Sequence, residues 1–209
     1  MRHDRTTLTS PAAAPAPAPG TAPVPAPGTV GDRGSRAAGP LLAVGTVATG
    51  LMAGLFFAFD VAVMPGLADS DDRTYVTAMQ HINKAIENAA FGLVFVGALV
   101  ATGLAAFLQY RAGRRATAIW AAAATALYLG ALVVTATVNL PLNSELARAG
   151  DPSRIQDLAA VRAAFESSWA TGNLVRTLLC TAGLAALVRA LLLHGRAASR
   201  TVSAGFRDA

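Results

Sequence analysis

Trp169, Asn173 and Arg176 stand at i, i+4 and i+7. On a continuous helix that spacing puts an indole, an amide and a guanidinium on one face. Asn139 and Asn143 bracket Pro141 in the run VNLPLN, where a stretch without charge comes to its end. His81 and Asn83 lie in a third polar stretch, DDRTYVTAMQHINKAIEN. Amide donors, one guanidinium, one imidazole and aromatic faces are the usual furniture of a small-molecule site, in which a few polar groups converge on an apolar cleft. Plainer readings stand beside this one. The two asparagines can satisfy backbone groups freed by the proline. His81 can be a solvated histidine on a surface helix. Arg176 can be an interfacial anchor or a partner of Glu166 or Asp60.

The elements that must position these residues follow from hydropathy. The chain has 209 residues, 54% hydrophobic and 14% charged, and a mean hydropathy of +0.46. Four windows lack any Asp, Glu, Lys or Arg: Leu41–Phe59, Asn88–Tyr110, Ala116–Ser144 and Thr177–Val188. The first three can cross a hydrocarbon core of about 30 Å, and the fourth can if Arg176 and Arg189 snorkel from its ends. The windows are apolar all round, which a soluble bundle would not be. The expected fold is all-α: an integral membrane four-helix bundle with spans at about 41–63, 89–108, 116–138 and 173–193.

Residues 1–40 repeat Pro-Ala and read as a disordered cytoplasmic tail. No apolar segment follows Arg2 and Arg5 closely enough for a cleaved signal, so the first span is expected to act as an uncleaved anchor. Residues 194–209 read as a short basic tail. The MPG after span one and Pro141 after span three are expected to end their helices. Gly50 and Gly54, one turn apart in GLMAG, either admit a neighbouring helix or mark a flexible span. Tyr110, Trp120 and Tyr128 read as interface anchors.

Two connections are expected to be helical. In the first, Ser70 or Asp71 caps a helix whose stripe is Tyr75, Met79, Ile82 and Ile86. In the second, Asp151 or Ser153 caps a helix with Ile155, Leu158, Val161, Phe165 and Trp169 on one face. Arg162 and Glu166 there form an i,i+4 pair, and the helix runs on into span four.

The net charge of +5 does not point to nucleic acid, because it is segregated. The tails and the RAGRR turn carry eleven bases and three acids, whereas the other two connections and their flanks carry six bases and nine acids. The positive-inside rule then places both termini in the cytoplasm of a plasma-membrane protein. The lone Cys180 excludes a dithiol enzyme. His3, His81 and His194 have no metal-ligand spacing, so no metal is expected. The spans offer only threonines near the midplane, against a coupled transporter. An enzyme and a non-catalytic binding or accessory protein of unknown ligand remain, either one meeting the lipid bilayer.

The motifs GLFFAFDVAVMPGL, DDRTYVTAMQHINKAIEN, VVTATVNLPLN and FESSWATGNLVRT, in this order, resemble the DUF1772 family, to which the fungal anthrone oxygenases belong. The resemblance covers about Leu41 to Leu193 and implies four-span membrane proteins. Most bacterial members have no assigned reaction. At the place of Asp60 the family often has a small polar residue, so Asp60 departs from its pattern. Anthrone oxygenase chemistry, if carried over, implies oxidation with no cofactor. A base removes an acidic hydrogen beside a ring carbonyl, and the enolate reacts with oxygen. Such a site needs a base near neutral pKa and donors for an oxyanion. On that reading His81 is the base and Arg176 a catalytic donor. Asn83, Asn139, Asn143 and Asn173 bind the substrate, and Trp169 walls its ring.

Overall fold

The computed structural model describes the backbone of residues 30–205 and the side chains of residues 37–197. Most of the expected tail, residues 1–29, lies outside the described residues, as does His3. The described residues are helical, without a strand: α1 (Val30–Ala58), α2 (Met64–Ala68), α3 (Asp72–Ile86), α4 (Ala89–Arg111), α5 (Arg115–Val134), α6 (Leu140–Arg148) and α7 (Leu158–Gly205). Two five-residue π-helical segments, Phe59–Val63 and Thr135–Asn139, join α1 to α2 and α5 to α6. Four continuous helices are long and apolar enough to cross a membrane: Ala37–Ala68, Ala89–Arg111, Arg115–Arg148 and Leu158–Ala197. They close a ring in which α1 packs on α4 and α7, and α5 packs on the same two.

The ring is tight where its side chains are small. At one end Ala105, Ala121, Ala124 and Ala190 pack with Leu42 and Leu187. Small residues let helices approach closely where lipid supplies no hydrophobic drive. Gly45 makes the closest such approach, since a Cβ there would lie 2.7 Å from Thr102 Cγ2. The Gly50–Gly54 pair contributes less: Gly50 meets only the Leu184 methyls at ordinary contact distance, and nothing lies within 4 Å of a Cβ on Gly54. The outward faces are apolar, with Val47, Leu93, Phe107, Ile119 and Leu178 exposed. That surface suits lipid and not water. Tyr128 corrects one expectation: it is fully buried in the middle layer, where its hydroxyl donates to Phe95 O at 2.9 Å. A phenol at that depth needs an internal acceptor, not an interface.

The prolines correct another. Neither Pro65 nor Pro141 ends its helix. Each lies two residues beyond a π segment, and in both segments the bond closing the wide turn runs i→i−5, Met64 N–H to Phe59 O and Leu140 N–H to Thr135 O. The carbonyls four residues before the prolines, Val61 and Thr137, lie inside those segments. The altered register therefore absorbs the missing amide and the ring clash that would otherwise break an α-helix. The helices run on for a further turn or more, and the wide turns face the site described below.

The connections from α1 to α4 and from α5 to α7 form a roof. Asp71 caps α3, its Oδ1 accepting from Arg73 N (3.0 Å) and Thr74 N (3.1 Å). The Thr74 hydroxyl, first among its partners, holds the Asp71 carboxyl below the usual carboxylate range. Tyr75, Val76 and Met79 are fully buried against Phe165 and Trp169 of α7. Arg162 stacks over the Tyr75 ring at 4.5 Å and donates to Ala68 O, Ser70 O, Asp72 and Glu166, fastening the turn before α3. Gln80 ties α3 to the end of α6 through Leu146 O and Gly150 O. The cap of α7 is Asp157, whose Oδ1 accepts from Ala160 N at 2.9 Å. Asp151 and Ser153, expected as caps, instead close a local turn on each other, Ser153 N donating to Asp151 Oδ1. The helix continues past residue 194, so the backbone of the expected C-terminal tail is helical to Gly205.

Candidate functional site: a cleft under the α3 roof

Asn83, Asn139, Asn143, Trp169, Asn173 and Arg176 line one narrow cleft of about 70 Å3, together with Leu55, Phe56, Phe59, Ile82, Ile86, Glu87, Phe91, Thr135 and Leu140. Six elements supply it: the end of α1 with its π segment, α3, α4, the α5–α6 π segment, α6 and α7. His81 is not among the lining residues. It is exposed, beside a wider polar groove of about 690 Å3 between α3 and α6. Asn83, Glu87 and Asn143 line both spaces, so the groove and the cleft meet there.

Arg176 is the one cation among the lining residues. Its guanidinium carbon lies 4.3 Å from the centre of the Phe56 ring and 5.5 Å from that of Trp169. Ring quadrupoles favour a cation in that position, and guanidinium sheds water more readily than ammonium. Its Nη2 donates to Asn173 Oδ1 at 2.8 Å. Glu166, one expected partner, is engaged by Arg162 instead. Asn173 Nδ2 donates to Phe56 O (2.8 Å) and to Asp60 Oδ1 (2.6 Å). Thr177, one turn further along α7, donates to Asp60 Oδ2 at 2.5 Å.

The two asparagines around Pro141 both turn to Trp169. Asn139 Nδ2 donates to Trp169 O at 3.2 Å, and Trp169 Nε1 donates to Asn143 Oδ1 at 2.7 Å. The backbone group that Asn139 satisfies thus belongs to α7 and not to its own helix. The indole is held flat on Phe165, with centroids 5.9 Å apart and planes at 25°, and is tilted against Phe59.

Three polar atoms around the cleft lack a partner among the described residues: Asn83 Nδ2, Asn139 Oδ1 and Arg176 Nε. Their residues are 8%, 1% and 6% exposed. Buried donors and acceptors are normally satisfied, so two donors and one acceptor converging on apolar walls describe a place for a small molecule with a polar edge. Sequence reasoning missed Phe56, Phe59, Glu87 and Thr135 as lining residues. It also missed Thr177, whose signal was its place one turn from Asn173. Among the described residues no three His, Cys, Asp or Glu side chains cluster as metal ligands.

A family model described as anthrone oxygenase matches residues 80–186, about half of the chain. The match includes His81 and nine of the cleft-lining polar and aromatic residues, and stops short of α1 and its π segment. No curated protein and no solved structure matches. The chain, with its four membrane-crossing helices and its roofed cleft, belongs to the anthrone oxygenase family.

Proposed function

We propose that the protein oxidises a hydrophobic aromatic substrate of the anthrone type in the cleft, with molecular oxygen as co-substrate. The observation that carries this reading is Arg176, a buried guanidinium among aromatic rings with an unpartnered N–H. The substrate ring fits among Phe56, Phe59, Phe91 and Trp169, and its carbonyl oxygen takes hydrogen bonds from Arg176 Nε and Asn83 Nδ2. Loss of a proton from the ring CH2 beside that carbonyl moves negative charge onto the oxygen, where fixed donors stabilise it best. The carbanion adds oxygen and the hydroperoxide loses water, so CH2 and O2 become C=O and H2O. All four electrons come from the two C–H bonds of the CH2: the first pair carries O2 to the hydroperoxide, and the second cleaves the O–O bond as water leaves. Glu87, which lines cleft and groove alike, accepts the proton, and His81 relays it through the groove.

Oxygen uptake by the purified protein with an anthrone tests the reading. One O2 should be consumed per substrate, and a rate no faster than without protein would leave a binding protein only. Glu87→Gln should slow uptake by about tenfold, less than the usual acid–base contribution because water reaches this exposed position. His81→Gln should give a smaller loss that added imidazole restores. Full activity of Glu87→Gln would remove Glu87 from the proton path.

The proposed location is the plasma membrane with both termini cytoplasmic, so that the cleft opens outward. The support is the excess of bases in the α4–α5 turn and the tails. A membrane-impermeant thiol reagent should modify a cysteine introduced at Ser153 in intact cells, and not one introduced at Ala112. Ala112 is the better inner probe because the neighbouring Gly113 has φ +73°, which a cysteine would strain. The buried Cys180 stays silent. The reverse labelling pattern would turn the cleft to the cytoplasm.

A further inference from the structure

Asp60 is the one carboxylate inside the first membrane-crossing helix before its outer end, and it sits in the wide turn at Phe59–Val63. An ionisable group at such a level is retained for a reason, and its partners name it. Both of its oxygens accept from α7: Oδ1 from Asn173 Nδ2, Oδ2 from Thr177 Oγ1. Among the described residues Arg176 makes no ion pair. Its guanidinium donates instead to Asn173 Oδ1.

The orientation of the Asn173 amide is therefore settled by chemistry. Its nitrogen faces two groups that only accept, the Phe56 carbonyl and the Asp60 carboxylate. Its oxygen faces a guanidinium, which only donates. Turning the amide over would oppose like to like at three contacts. The carboxylate also polarises the amide, and this strengthens the bond from Asn173 Oδ1 to the cation. Phe56 enters twice, its carbonyl fixing Asn173 and its ring carrying Arg176.

We propose that Asp60 is a positioning residue for the cleft: through the Asn173 amide it holds the Arg176 guanidinium against Phe56 and Trp169, with Nε left for the ligand. It touches no substrate. The catalytic consequence rests on the oxidation proposed above, whereas the placement of Arg176 does not.

Trp169 supplies a readout independent of activity, because the guanidinium lies over its ring. In a Trp120→Phe background it is the remaining tryptophan of the two in the chain. Asp60→Leu should shift Trp169 emission. Asp60→Asn, which can still accept from Asn173, should leave it near the parent value. In an Arg176→Lys background Asp60→Leu should produce no further shift, since there is no guanidinium left to displace. If Asp60→Leu does not insert, Asp60→Ser, too short to reach Asn173, takes its place. Unchanged emission in Asp60→Leu, or a shift of equal size in the Arg176→Lys background, would overturn the proposal. In the oxygen-uptake assay Asp60→Leu should lower kcat about tenfold, the weight of one charge-assisted hydrogen bond. If the parent protein takes up no oxygen while the emission pattern holds, the oxidation fails and the positioning role stands.

Discussion

Arg176→Lys should lose oxygen uptake nearly as completely as Arg176→Ala, each by about 100-fold, the usual effect of removing one oxyanion donor. Lysine keeps the charge, and an anchor at a membrane interface would tolerate it well. The surroundings of Arg176 demand shape as well. The guanidinium lies over the Phe56 and Trp169 rings while one edge meets Asn173 Oδ1 and another N–H stays unpartnered. A flat fork does all of this at once. An ammonium is a compact, strongly hydrated point charge that covers neither ring fully and cannot set two N–H groups at fixed angles. The residue is only 6% exposed, so lysine would also bring a hydration demand the cleft cannot meet. The measurement is kcat and KM for both variants beside a thermal melt of each. A lysine variant within about threefold of the parent would return Arg176 to the role of a helix anchor.

The Arg176 cluster was legible because it needs little beyond helical period. Trp169, Asn173 and Arg176 fall on one face of any continuous helix, and α7 is continuous from Leu158 to Gly205. The α3 stripe was legible for the same reason, since Tyr75 and Met79 repeat at helical spacing and both are buried. What lay hidden depends on chain segments far apart in sequence. Asp60 and Asn173 are 113 residues apart, and nothing local marks them as partners. The prolines misled because a π turn is a matter of backbone register, which carries no composition of its own. Pro65 and Pro141 look like stops, and each is accommodated by the turn before it. His81 shows the opposite limit. Its residue type suggested a base, but its place on the wheel, off the buried stripe, puts it at the groove and not in the cleft.

The largest effect on stability should come from a residue with no side chain. A Cβ on Gly172 would stand 2.8 Å from Asn139 Oδ1, 3.1 Å from Val138 Cγ1 and 3.2 Å from Asn139 Nδ2. Gly172 is therefore where α7 closes on the Thr135–Asn139 π segment. Gly172→Ala gains about 1 kcal/mol of helix propensity. Against this, Asn139 must leave Trp169 O, and overpacking of this kind costs about 1–3 kcal/mol, with more for the buried amide and carbonyl left unpaired. Net destabilisation is expected, and Gly172→Leu, for which the contact has no room, should exceed about 4 kcal/mol or fail to fold. Gly54→Ala is the control, since nothing lies within 4 Å of its Cβ and only the propensity gain applies. Thermal unfolding in one detergent should therefore rank Gly54→Ala at or above the parent, Gly172→Ala below it and Gly172→Leu lowest. Adding Asn139→Ala to Gly172→Ala should lower stability less than the two separate losses together, because the second change removes the atoms the first collides with. A Gly172→Ala protein as stable as the parent, or strict additivity in the double variant, would show that α7 and the π segment do not meet through Asn139.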